Sequence, residues 1–165
     1  MLVFNTKVLF LKLSVMKIST RKFCKERAGI SRGGLKKWEN NPTQPRLRDL
    51  QNLADAAELP VYLLYANIIN GEDTPAPSVE MLMETKGEKD VMLTLNITAI
   101  EMIIVEQKKS ISDLCKDKKL HISRTTYNKW KKDPSWPRLK EVQRIADALN
   151  VNPEDLLIKL SYADE

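Results

Sequence analysis

Apolar positions in this chain recur mostly at helical spacing. Ile97, Ile100, Ile103 and Ile104 fall on one side of a 3.6-residue period, as do Leu47, Leu50 and Leu53-Ala54, and again Leu139, Val142 and Ile145-Ala146. Such a stripe marks a helix with one buried face. Short polar residues precede the stripes. Asn5, Ser19 and Ser31 stand where first-turn amides need an acceptor, and so do Asn96, Ser110 and Ser123. The pattern predicts five helices, twice: about 6–16, 19–27, 32–40, 46–58 and 60–68, then about 97–108, 111–119, 124–132, 138–149 and 153–160. Pro153 suits a first helical position, where its missing amide proton costs nothing.

The two sets share residues as well as pattern. Trp38, Pro42, Pro45, Arg46 and Leu47 return 92 positions later as Trp130, Pro134, Pro137, Arg138 and Leu139. Ile30-Ser31-Arg32 returns as Ile122-Ser123-Arg124, and Ala54-Asp55-Ala56 as Ala146-Asp147-Ala148. Nearer each start the offset is 91: Met1-Leu2, Asn5, Lys17, Ser19 and Cys24 match Met92-Leu93, Asn96, Lys108, Ser110 and Cys115. A period this long predicts a duplicated module. The expected organisation is a first domain over 1–69, a linker over 70–91 and a second domain over 92–165. Each domain is small, so its core is modest. Asn70-Gly71 and Pro75-Ala76-Pro77 have linker composition, and Ser78 to Thr85 suits a short helix with Met81 and Leu82 docked on a module.

Charge follows the same division. Residues 1–65 hold twelve Lys and Arg against five Asp and Glu, a net +7; residues 66–91 carry −4 and residues 92–165 carry +2. The whole chain is +5, which favours a polyanionic partner. Basic modules around an acidic connector fit modules that touch phosphate.

Other chemistries find little support. Two cysteines at matched places read as small buried residues of an intracellular, and here cytoplasmic, protein. His121, the single histidine, reads as a loop residue, and no cluster has metal-ligand spacing. No cofactor is expected. Lys7, Lys12 and Lys17 break the apolar run that starts the chain, arguing against a signal peptide, and no stretch is long enough for a membrane span. No nucleophile, base or metal constellation points to an enzyme.

Ile-Ser-Arg, a Trp closing a short helix, Pro-Arg-Leu seven residues on and then Ala-Asp-Ala together resemble the Cro/CI-type (Xre-like) helix-turn-helix of phage and bacterial repressors. The resemblance covers about 1–69 and 92–160. It implies an all-α fold of two lambda-repressor-like five-helix domains, binding double-stranded DNA with the third helix of each in the major groove. Carried onto these residues, it makes Arg32, Gly33, Lys36 and Lys37 base readers in the first copy. In the second copy they are Arg124, Thr125, Asn128 and Lys129. Arg pairs with guanine, Asn with adenine, and Thr contacts a thymine methyl. Phosphate contacts are expected from the start of the second helix and the loop after the third: Lys17, Ser19, Arg21, Arg46 and Arg48, and Lys108, Ser110, Lys132, Arg138 and Lys140. Trp38 and Trp130 read as core, Trp136 as surface, and Asp55 and Asp147 as structural.

The first copy departs from the family in placing Gly33-Gly34 inside the reading helix, where each costs about 1 kcal/mol relative to Ala. The second copy would then set sequence preference while the more basic first copy adds affinity. The resulting expectation is a repressor-like transcriptional regulator gripping one asymmetric or bipartite site. A flexible connector would span on the order of 25–30 Å between heads. The other open reading is a protein-interaction module of antirepressor or antitoxin type, with self-association or a partner protein.

Overall fold

A computed structural model describes residues 1–72 and 75–161. Two residues of the expected linker, 73 and 74, and the end of the expected second domain, 162–165, lie outside the described residues.

Each half begins with a short strand, β1 (Leu2–Phe4) or β3 (Val91–Leu95), followed at once by a helix, α1 (Thr6–Val15) or α6 (Ile97–Glu106). The second helix is α2 (Thr20–Lys22) or α7 (Ile111–Lys116); α2 runs on as a π turn over Phe23–Ala28, ending at Gly29 with φ +62°. The third helices, α3 (Arg32–Asn40) and α8 (Arg124–Lys132), have the expected bounds. The fourth are α4 (Leu47–Ala56) and α9 (Leu139–Leu149). All six anticipated caps form: Asn5, Ser19, Ser31, Asn96, Ser110 and Ser123 each accept a first-turn amide through the side chain.

The chain is mostly helical, but the expected fifth helices are cut short. Val61–Leu64 and Pro153–Leu156 form single 3₁₀ turns, the latter opened by Pro153. The chain then extends as β2 (Tyr65–Asn67) and β4 (Leu157–Ser161). β2 pairs antiparallel with β1, Val3 opposite Ala66, and β4 with β3, Leu93 opposite Lys159. The reason is tertiary. Each half offers an apolar strand at its start, and the tail gains more by completing that ladder than by one further helical turn.

Between the halves, α5 (Val79–Glu84) is capped by Ser78 and docks on α1. Leu82 is fully buried, whereas Met81 is exposed. The tie is Lys12. Only 4% exposed, it donates from Nζ to the carbonyls of Leu82 at 2.8 Å and Thr85 at 3.2 Å. A cation suits the carbonyl-rich end of a helix.

The halves meet along a seam, and their buried side chains form one continuous cluster in place of two separate cores. The main-chain bonds of the seam come in matched pairs. Leu47 N donates to Pro137 O and Leu139 N to Pro45 O, both at 3.0 Å. Arg48 N donates to Ser135 O and Lys140 N to Thr43 O, again at 3.0 Å. Arg46 and Arg138 bridge antiparallel at the centre. α4 packs beneath β3 and α9 beneath β1. Leu93 N donates to Gln51 Oε1 (3.0 Å), and Leu2 N to Gln143 Oε1 (2.7 Å). Both partners of each pair are related by the sequence offset, so the seam has the reciprocal form of a two-fold interface, here within one chain. Asp55 and Asp147 earn their place one turn further on, where each accepts from the glutamine amide that reaches across. The glutamines also satisfy strand amides that would otherwise form open edges.

Candidate nucleic-acid interface

The third helix of each half separates a buried stripe from an exposed one. On α8, Tyr127 and Trp130 face the core, while Arg124, Thr125, Asn128 and Lys129 are exposed. On α3, Leu35 is buried and Trp38 half-buried, while Arg32, Gly33, Lys36 and Lys37 are exposed. The eight residues expected to read bases thus lie on solvent-facing surfaces of two helices. Each helix starts with a serine cap, leaving the positive end of its dipole near the exposed first turn.

The residues expected to hold phosphate divide into two groups. Lys17, Ser19 and Arg21, and likewise Lys108, Ser110 and Lys132, are exposed. Lys17 and Lys108 occupy the same left-handed turn between first and second helices, with φ of +55° and +53°. The two helix starts differ in charge. Where the first half continues Arg21-Lys22, the second has Ser112-Asp113. Asp113 is held below the ordinary carboxylate pKa by the Ser110 amide and hydroxyl, which donate to it. A fixed negative charge makes that edge less favourable to an anion than its counterpart in the first half.

Arg46, Arg48, Arg138 and Lys140 form the other group, half-buried along the seam, where the side chains of Arg46 and Arg48 are engaged. Arg48 pairs with Asp133 and donates to Ser135 Oγ at 3.2 Å. Burial opposes the charged form of Asp133, but the Ser135 hydroxyl and Arg48 outweigh it and hold its pKa below the usual aspartate value. Arg46 lies over the Trp136 ring, 3.7 Å from its centroid, with Arg48 at 4.8 Å. Trp136 is 40% exposed, so it is a surface residue that also braces the seam. Arg48, one of the expected phosphate contacts, forms an ion pair within the protein, because the pseudo-dyad brings Asp133 beside it.

Some residues that build this surface were not anticipated. Gln51 and Gln143 set the halves against each other, and their role could not be read from helical spacing because it is exercised across the seam. Tyr127 was passed over as well. Burial pushes its hydroxyl pKa far up, and among the described residues that hydroxyl has no hydrogen-bond partner.

Both thiols are buried, and desolvation raises the pKa of each. His121 is exposed in a turn. Among the described residues no group of His, Cys, Asp and Glu could hold a metal ion. No described helix is long and apolar enough to cross a membrane.

No curated protein and no solved structure matches the chain. A family model does match: residues 99–159, which span α6 to β4, are similar to the Cro/C1-type HTH DNA-binding domain.

Proposed function

We propose that this protein is a cytoplasmic, sequence-specific duplex-DNA-binding regulator of transcription, of bacterial or phage type and repressor-like. Its two halves, 1–69 and 92–165, act as tandem helix-turn-helix heads joined through 70–91. The observation that carries this reading is the exposed Arg124, Thr125, Asn128 and Lys129 surface of α8, inside the stretch that matches a DNA-binding family. The first half is proposed as a second head because it repeats the element order and presents α3 in the related position. Arg32, Gly33, Lys36 and Lys37 would contact bases there, with Lys17, Ser19 and Arg21 on phosphate. Lys108, Ser110 and Lys132 would serve the second head, and Arg46, Arg48, Arg138 and Lys140 would reach backbone near the seam.

The reciprocal seam supports one further point. Heads related by a two-fold read half-sites in inverted orientation, and heads that share a core cannot slide apart. A single chain would take the role that two subunits play in a dimeric repressor, with half-sites one turn, about 34 Å, apart. Because the heads differ, the site would be an imperfect inverted repeat. Selection from a random duplex pool with the purified chain tests this. The expected product is an inverted pair of unlike half-sites, and five added base pairs between them should reduce affinity by about tenfold or more. Direct repeats, or tolerance of the insertion, would refute the fixed-head arrangement. Failure to retain any duplex would remove the DNA reading.

A second reading has one observation of its own. Beside Gly33 an apolar hollow of about 500 Å3 opens, lined by Phe10, Thr20, Arg32, Leu35 and Lys36 among others. A first half that has turned from bases to a partner protein would use that face. Replacing Arg32 and Lys36 by Ala then leaves duplex affinity unchanged.

A further inference from the structure

The two sides of the seam are filled differently. On one side the Trp136 indole lies beneath the Arg46 guanidinium. By the internal offset, Gln44 stands where Trp136 does and Arg138 stands where Arg46 does. On that second side a hollow of about 520 Å3 opens, bordered by Lys37, Trp38, Gln44, Arg46, Asp49 and Arg138 among others. This volume is within the usual range for small-molecule sites, about 300–1,000 Å3. Three cations face one carboxylate, and that carboxylate is engaged: Asp49 Oδ2 accepts from Arg46 N at 2.9 Å. Among the described residues neither Lys37 nor Arg138 forms an ion pair.

We propose that this hollow binds a free nucleotide, with its base in the place of the missing indole beneath Arg138 and its phosphates toward Lys37. The protein supplies its own precedent across the pseudo-dyad, where an arginine lies over an aromatic ring at 3.7 Å. A guanidinium is attracted to a ring face and binds phosphate through its fork of N–H donors. Duplex DNA does not offer the base, because its rings are stacked on one another and unstacking one is costly. The proposal stands on the seam and does not rest on the DNA reading.

The test is calorimetric titration of the full chain with ATP, GTP and inorganic tripolyphosphate, with tryptophan fluorescence as a second signal. ATP or GTP should bind saturably, and tripolyphosphate about tenfold more weakly or worse. Gln44→Trp places a ring in the hollow, as on the other side, and should lower nucleotide affinity about tenfold or more. Arg138→Gln should do the same and serves if the first variant fails to fold. Three outcomes overturn the proposal: no saturable nucleotide binding, tripolyphosphate binding as tightly as nucleotide, or unchanged affinity in a folded variant. Duplex binding, measured in parallel, reports on the separate reading.

Discussion

Gly33 and Gly34 stand in the first turn of α3, where α8 has Thr125 and Thr126, and their surroundings separate them. A Cβ on Gly33 would meet nothing within 4 Å, whereas one on Gly34 would lie 3.1 Å from Ser31 Oγ. Ser31 Oγ accepts the Gly34 amide at 2.9 Å, so it has little room to yield. Gly33→Ala should therefore stabilise the protein by up to about 1 kcal/mol, the helix-propensity difference, with a matching rise in Tm. Gly34→Ala should gain less. Equal effects would mean the cap is not held as described. Tyr127 offers a second test at this scale. Among the described residues its buried hydroxyl lacks a partner, and the related residue in the first half is Leu35, which has no side-chain polar atom to satisfy. Tyr127→Phe should leave chemical-denaturation stability unchanged or raise it by about 1 kcal/mol. A loss of that size would show the hydroxyl to be bonded in solution. Single residues were the best-read level of this sequence. Six caps followed from local rules, because a cap acts on amides three positions away; the exposed positions of α3 and α8 followed from the family resemblance. Gln51 and Gln143 act on the opposite half and left no local trace.

The elements were legible where one helix face had to be buried and were misread where pairing was decided elsewhere in the chain. Leu2-Val3-Phe4 carries no clear period, and all three residues are buried, because one side of the strand meets β2 and the other meets α9. The tails after Leu64 and Leu156 extend to match these strands, which a window confined to the tail does not reveal. Lys12 is the converse case. In the sequence it interrupts an apolar run, but in the fold it is the buried cation that holds α5 to α1. Hydrogen bonds from charged groups contribute about 1.5–3 kcal/mol. Lys12→Met keeps the length and loses the donors, so α5 should loosen before the rest. Hydrogen exchange should quicken by about tenfold or more across residues 78–86, since that factor corresponds to ~1.4 kcal/mol. Exchange in α9 should stay slow. If residues 78–86 stay protected, Leu82 alone anchors the helix.

At the scale of the molecule, the repeat was visible but its consequence was not. The offset matches predict two modules. They do not reveal that Pro45-Arg46-Leu47 of one half hydrogen-bonds to Pro137-Arg138-Leu139 of the other, although those residues carried the repeat. The seam is also lopsided. Asp133 and Trp136 serve Arg48 and Arg46, whereas the related residues Asn41 and Gln44 bring neither charge nor ring. The Asp133 carboxylate has its pKa lowered in the folded state. Such a group stabilises the fold above its unfolded pKa, and that contribution is lost as pH falls through the folded value. The tie is complete at neutral pH and fades below about pH 4. Asp133→Asn should lower Tm at pH 7 and flatten the dependence of Tm on pH in the acid range. A parallel shift at all pH values would place the titration elsewhere.

The shared core decides how the halves unfold. Independent domains melt separately, but a strand whose amide is held by the other half cannot be released without loosening both. Gln51 is buried in α4, yet its Oε1 accepts from Leu93 N of β3. Gln51→Leu keeps the side chain's bulk and strands that amide without an acceptor, at a cost of about 1–3 kcal/mol. The parent protein should unfold in a single cooperative calorimetric transition, with calorimetric and van't Hoff enthalpies equal. The variant should unfold in one transition too, at lower temperature, and opening by hydrogen exchange should accelerate in α9 and β4 as much as in α1 and α4. Two transitions in the parent, or a variant that speeds exchange in the first half alone, would mean that the halves fold as separate units. On the proposed two-head reading, the heads would then be tethered, and a bound duplex would tolerate variable spacing between its half-sites.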